Sequence, residues 1–161
     1  MQRTRTQRSA PTHPIESDLR WLAEQPEQQA VLLDAVFTAS PCRIFVTDPA
    51  GRLIYVSLPG ARLLGRDRGD MLGRTWPALG LAGAMGPLEA LQRRALTTGQ
   101  PATGEVQLRT AEGLGDYQYV INPVRLPEGR IAAVNTCLQD IGERKRLEEQ
   151  REDILRAVSH D

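Results

Sequence analysis

The chain of 161 residues has two cysteines, two histidines, a formal net charge of zero and no long apolar run. Each shortage excludes a class of chemistry. Cys42 and Cys137 come without partner histidines. Zinc and iron–sulfur sites need four such ligands, so no metal centre is expected and both thiols are read as reduced and buried in strands. Haem needs an axial ligand, commonly His, yet His13 sits in a polar tail and His160 lies past the last β-pattern. Twenty basic and twenty acidic side chains cancel, so no global field draws the chain to nucleic acid or to an anionic membrane. Arg3, Arg5 and Arg8 are read as part of a disordered arm. No segment approaches the ~18 apolar residues of a membrane span, and the N-terminus lacks the apolar core of a signal peptide. A soluble, cytoplasmic chain without direct membrane insertion is expected, with one ordinary domain plus extensions.

Organisation emerges from periodicity. Residues 1–14 are polar and aperiodic, a disordered tail. Residues 15–40 carry a helical stripe, Leu19, Trp21 and Leu22, then Val31, Leu32, Ala35 and Val36. Pro26 splits or kinks that stretch, and Pro41 ends it near Ser40. Ile44, Phe45 and Val46 lead through Asp48-Pro49-Ala50-Gly51 to Leu53, Ile54, Tyr55 and Val56, which predicts a hairpin with a tight turn. Glycines break residues 59–85 into short helical turns. A longer helix is predicted to open at Pro87, with Leu88, Leu91 and Ala95 on one face and Gly99 as its C-cap. Three strands follow, around 105–109, 117–121 and 131–138. A five-stranded antiparallel sheet covered on one face by helices would bury a single core, an α+β class. Residues 143–158 hold strong helix formers and neither Gly nor Pro.

The order and length of residues 41–141 resemble a PAS domain. Asp48-Pro49-Ala50-Gly51-Arg52-Leu53-Ile54-Tyr55-Val56 resembles the first hairpin of that family, Ala61-Arg62-Leu63-Leu64-Gly65 the helix after the second strand, and Met71-Leu72-Gly73-Arg74 the next short helix. Residues 113–124 and 129–140 resemble its last two strands. Asp140-Ile141-Gly142-Glu143-Arg144-Lys145 resembles the family's exit signature, Asp-Ile-Thr-Glu-Arg-Lys. Two positions depart: Ser57 stands where Asn is usual, and Gly142 where Thr is usual. The resemblance implies a five-stranded antiparallel sheet with short helices and one longer helix on one face, flanked by N-terminal and C-terminal helices. It also implies a cavity between that longer helix and the sheet. Strand alternation back from Asp140 puts Leu138, Thr136 and Val134 on one face and Cys137 and Asn135 on the other, and the resemblance implies that the first set points inward. With Ile44, Val46, Met71, Leu91, Val106, Tyr119 and Ile121, these are the expected lining; each is equally a core residue. Trp76, Tyr119, Asn135 and Arg109 are polar groups able to touch a ligand.

No cofactor is expected in that cavity. Haem-binding relatives carry their ligand on the longer helix, and residues 88–96 here include no His, Cys, Met or Tyr. The Asn-Cys-Arg motif of flavin-binding relatives is absent. An unnamed small organic molecule, or none, is what the residues allow.

Leu147, Ile154 and Val158 fall at coiled-coil spacing, with Leu155 beside the seam and Arg144 and Arg151 interrupting it. Val158-Ser159-His160-Asp161 resembles the first half of the phospho-acceptor box of sensor histidine kinases. The resemblance implies His160 as acceptor and Asp161 as its orienting base, with Asp140, Ile141, Leu147, Ile154 and Val158 relaying a signal to them. Residues 142–161 would then be a signalling helix and the start of a dimerisation and phospho-acceptor domain. The expected function is a cytoplasmic, dimeric PAS sensory module of a two-component kinase, whose partners are a separate ATP-binding domain and a response regulator. These 161 residues would not be an enzyme alone, since no glycine-rich nucleotide lid is present. The alternatives are a ligand-free interaction scaffold and the PAS module of another signalling enzyme, such as a diguanylate cyclase.

Overall fold

The computed structural model describes residues 25–160. The tail and the part of the helical extension before residue 25 lie outside them. The elements run α1 (Pro26–Ala39), β1 (Arg43–Thr47), β2 (Leu53–Val56), α2 (Leu58–Leu64), α3 (Arg68–Met71), α4 (Ala82–Thr98), β3 (Ala102–Thr110), β4 (Gly113–Arg125), β5 (Ile131–Asp140) and α5 (Gly142–Ser159). All strand pairs are antiparallel, in the order β2-β1-β5-β4-β3. Three pairs are local hairpins; only β1 with β5 joins distant parts of the chain. The last strand is therefore central, hydrogen-bonded on both sides.

α1 starts at Pro26, where a missing N–H leaves no bond unmade, and it stops at Ala39, as Pro41 requires. Taken by itself, it buries none of its residues. The β1–β2 turn is held by Asp48, whose Oδ1 accepts the N–H groups of Ala50 and Arg52, both at 2.9 Å. Gly51 supplies the positive φ of 81°. Ser57 is fully buried: its Oγ accepts the N–H of Gly60 at 3.2 Å, capping α2, and the N–H of Ile44 at 3.0 Å. One hydroxyl thus fastens the start of α2 to β1 at the position where the family usually has Asn.

α4 begins five residues earlier than the sequence predicts, so Pro87 lies inside it. An interior proline costs about 3 kcal/mol. The additional turn buries Met85 completely, and burying such a side chain stabilises by roughly 1.5–3 kcal/mol, which offsets most of that cost. The buried stripe is Met85, Leu88, Gln92 and Ala95 rather than the expected Leu88, Leu91 and Ala95; Leu91 is only half-buried.

Strand β1 takes the opposite phase to the expected one. Phe45 pairs with Thr136 and Thr47 with Val134, so Phe45 and Thr47 share the core face with them. Ile44 and Val46, expected inward, pair with Cys137 and Asn135 on the other face. Three successive apolar residues carry no alternation, so sequence periodicity cannot set their phase; the register with β5 does. The core itself lies between α4, the short helices and this face, around Trp76, Phe45, Met85, Leu88, Ile121 and Leu138.

Candidate functional site

Behind α4 a chain of three buried polar side chains crosses the core. Trp76, in the connection after α3, donates its indole N–H to Gln92 Oε1 at 3.0 Å; Gln92 Nε2 donates to Thr136 Oγ1 at 2.8 Å. Exposure is 1% for Trp76, 4% for Gln92 and 0% for Thr136. An indole N–H only donates, so the Gln92 oxygen must face it, and that fixes the amide with its nitrogen toward β5. The relay joins the longer helix to the central strand. Phe45 meets the Trp76 ring edge-on, centroids 5.4 Å apart. The amide keeps one N–H and the threonine its hydroxyl proton for another partner.

A cleft of about 180 Å³ opens beside the relay, lined by Thr47, Pro49, Gly51, Trp76, Gln92 and Leu96, among others. It has room for several waters or a small polar molecule, at about 30 Å³ per water. A second, of about 430 Å³, lies along α4 and β3, with Leu91, Arg94, Thr98, Ala102 and Tyr119 in its wall.

The ten residues expected to line a cavity separate into three groups. Met71, Ile121, Val134, Thr136 and Leu138 have no exposed surface and pack the core. Leu91, Val106 and Tyr119 are partly buried against it, and Leu91 and Tyr119 border the larger cleft. Ile44 and Val46 sit on the far face of the sheet. Of the ten, only Thr136 joins the relay. Phe45, Thr47 and Gln92 were not among them. Gln92 carried a signal, a polar residue four after Leu88 within an apolar helical stripe; Phe45 and Thr47 carried none. Cys137 faces outward as the alternation predicts, but neither thiol is fully buried, and Cys42 lies in a bend before β1 rather than within a strand.

The second part of the site is the seat of α5. Ile141, 4% exposed, donates its N–H to Asp116 O at 2.9 Å and accepts that of Lys145 at 3.0 Å. Asp140 Oδ1 accepts the N–H of Gly142 at 2.8 Å. On the sheet side, Glu105 of β3 meets Arg144 at 2.6 Å and Lys145 at 3.4 Å, while Asp116 of β4 lies 3.5 Å from Lys145. Burial pulls the Lys145 ammonium pKa down, but hydrogen bonding to Glu105 and the charges of Asp116 and Glu105 outweigh it, so the value ends above the ordinary one. The first turn of α5 is clamped to two strands.

Beyond that turn α5 buries nothing. Leu147, Ile154, Leu155 and Val158 are 58–69% exposed. Ion pairs Arg144–Glu148 at 3.6 Å and Arg156–Glu152 at 3.9 Å, each spaced i,i+4, lace its surface. His160 caps the C-terminal end, exposed; Asp161 lies outside the described residues. Among the described residues no helix is long and apolar enough to cross a membrane, and no three His, Cys, Asp or Glu side chains are grouped to hold a metal ion.

The family profile described as PAS fold matches residues 37–146. No curated protein matches the chain. Among solved structures, an RNA-binding Light-Oxygen-Voltage receptor is 21% identical with a TM-score of 0.60, over 98% of this chain and 42% of the other. The phage VqmA–DPO complex is 20% identical with a TM-score of 0.61, over 83% of this chain and 63% of the other. The PAS domain of BvgS from Bordetella pertussis is 19% identical with a TM-score of 0.59, over 80% of this chain and 98% of the other. The chain therefore spans less than two thirds of the first two of these proteins, and at such identities the likeness is one of fold.

Proposed function

The chain belongs to the PAS-fold family, and from that premise we propose that it is the cytoplasmic sensing and dimerisation module of a sensor histidine kinase, relaying a signal through α5 to His160. One observation carries this reading: α5 is gripped by β3 and β4 over its first turn and then runs on with an exposed apolar seam up to the histidine. A lever needs a fixed fulcrum and a free arm. The fulcrum is Glu105, Asp116 and Ile141; the arm is the seam of Leu147, Ile154 and Val158, whose occupant is the same seam of a second copy. Asp140 and Ile141 transmit the pose of β5 into α5.

The input is a change at the Trp76–Gln92–Thr136 relay. A small polar molecule in the adjacent cleft takes the spare N–H of Gln92, which lines it, and through that amide alters the bond to Thr136. Any such ligand acts only by binding two poses of β5 unequally. No haem, flavin or iron–sulfur cluster enters the proposal, because residues 88–96 hold no His, Cys, Met or Tyr and the Asn-Cys-Arg motif is absent. At the output, neutral imidazole is a nucleophile near pH 7, Asp161 orients it, and Mg–ATP in a separate domain donates the phosphoryl group. A response regulator then takes it from His160. The chain alone is not an enzyme in this scheme.

Fusing the chain to a histidine-kinase ATP-binding core and following radiolabel from ATP tests the acceptor. Label should reside on His160 and vanish in His160→Gln; label that survives that substitution refutes the assignment. Sedimentation of the unfused chain should show a dimer weakened by Leu147→Glu with Ile154→Glu. The second reading, a scaffold that binds no small molecule, is favoured by the complete burial of Met71, Ile121, Val134 and Leu138 where a cavity was expected. A thermal-shift screen against polar metabolites separates the two: a compound that shifts the wild type but not Gln92→Leu supports sensing.

A further inference from the structure

The two thiols lie together. Ile44 of β1 is directly opposite Cys137 of β5, on the sheet face away from the core. Cys42 precedes Ile44 by two residues, just past the end of the ladder, and so lies diagonal to Cys137 across the pair. Burial, and then the neighbouring Cys42 thiol, raise the Cys137 pKa. Both cysteines are free and only half-buried, which leaves them open to a small oxidant. Cys42 stands in the bend between α1 and β1, outside the β-ladder, with its N–H on Ser40 Oγ at 3.2 Å.

We propose that Cys42 and Cys137 form a reversible disulfide when the chain meets a peroxide, tying the segment that enters the sheet to its central strand. The Cys42 thiolate attacks one peroxide oxygen; the O–O bond breaks, water leaves after protonation, and Cys42 becomes a sulfenic acid. The Cys137 sulfur then attacks the Cys42 sulfur, the S–O bond breaks, and the Cys137 proton leaves with hydroxide as a second water. Two thiols are oxidised to one disulfide and one peroxide is reduced to two waters. The roles follow from the surroundings. Burial, and then the Cys42 thiol beside it, push the Cys137 pKa up to about 12, so Cys137 is the slower thiol toward peroxide and gives up its proton only as it attacks the Cys42 sulfur.

Geometry makes the bond a switch rather than a staple. Diagonal partners across an antiparallel pair have Cα atoms about 7–8 Å apart, and a disulfide accepts up to about 6.8 Å. Closure must therefore draw the chain at Cys42 inward by roughly an ångström. Residues 40–42 are in bends with no ladder bonds to break, whereas Cys137 is fixed by ladders on both sides. Oxidation displaces the point where α1 joins the sheet.

The test uses the full chain, with hydrogen peroxide as the probe, maleimide to block remaining thiols, and tryptic mapping under non-reducing conditions. The expected product has no covalent bond between chains, lacks two hydrogens, takes up no maleimide and yields the peptide 21–43 joined to 131–144; dithiothreitol restores both labels. Cys137→Ser should leave Cys42 trapped as a sulfenic acid by dimedone. Amide exchange across residues 40–43 should change on oxidation and revert on reduction. Two maleimides after peroxide, Cys42 overoxidised beside a free Cys137, or bonds only between chains would each overturn the proposal, and the wild-type mapping decides this even if a variant fails to fold.

Discussion

α4 and α5 are nearly equal in length, 17 and 18 residues, and differ in almost everything else. α4 contains a proline and two glycines that weaken a helix, yet it buries Met85, Leu88, Gln92 and Ala95 against the sheet. α5 is built from strong helix formers with i,i+4 ion pairs and buries nothing past its seat. One helix exists because of what it packs on; the other because of its own residues and a clamp at one end. A sensor needs both: an element whose position depends on the core, and one that carries a displacement outward without being absorbed by it.

The sharpest way to break that comparison is to cut one side chain from each helix. Leu88→Ala should lower unfolding free energy by about 2–5 kcal/mol in urea, while Leu147→Ala on the monomer should stay within about 0.5 kcal/mol. Equal losses would dissolve the distinction. Next in size is the relay. Gln92→Leu strands the Trp76 N–H and the Thr136 hydroxyl, at about 1–3 kcal/mol for each group left unpaired. Adding Trp76→Phe should recover part of the loss; a strictly additive double variant would mean the indole bond contributes nothing.

Alkaline titration probes the sheet side. Cys137 is raised to about 12 by burial and the Cys42 thiol, Tyr117 is raised by burial, and Lys145, pulled down by burial, is raised overall by Glu105 and Asp116 together. Each group thus holds its proton more tightly in the fold than in the unfolded chain. That contribution is full below the unfolded value and is lost as pH rises through the folded one. With unfolded values of about 8.5, 10 and 10.4, the melting temperature should be level through neutral pH and fall above about pH 8.5. A melting temperature unchanged at pH 11 would contradict these assignments. The smallest effect on stability belongs to the clamp. Arg144→Ala should cost under about 1 kcal/mol, since both partners are half exposed, yet it should speed amide exchange over residues 142–146. Unchanged exchange would remove the fulcrum from the proposed lever.

Much of this was legible beforehand. Asp48 to Gly51 specified a turn, Pro41 a helix end and Gly99 a C-cap, because each constrains its own backbone. That Val134, Thr136 and Leu138 share one face could be counted from Asp140, and the family resemblance turned that face inward. The long run without Gly or Pro foretold α5. The candidate site was less legible. Gln92 could have been noticed as a polar break in an apolar stripe, but nothing near Trp76 or Thr136 in sequence announces that the amide bridges them. Glu105 reads as an ordinary alternating polar residue, and Asp116 as part of a candidate turn, until β3 and β4 bring them under Arg144 and Lys145.

What the sequence by itself determined is therefore local: where helices and turns begin and end, and the class of fold that their order spells. Tertiary structure alone decided the phase of β1, the start of α4 before Pro87 and the meeting of Cys42 with Cys137. The reason is one of range. Turn geometry and helix propensity act within a few residues, whereas the β1–β5 pairing joins residues some ninety positions apart, and only there do two apolar faces compete for one core.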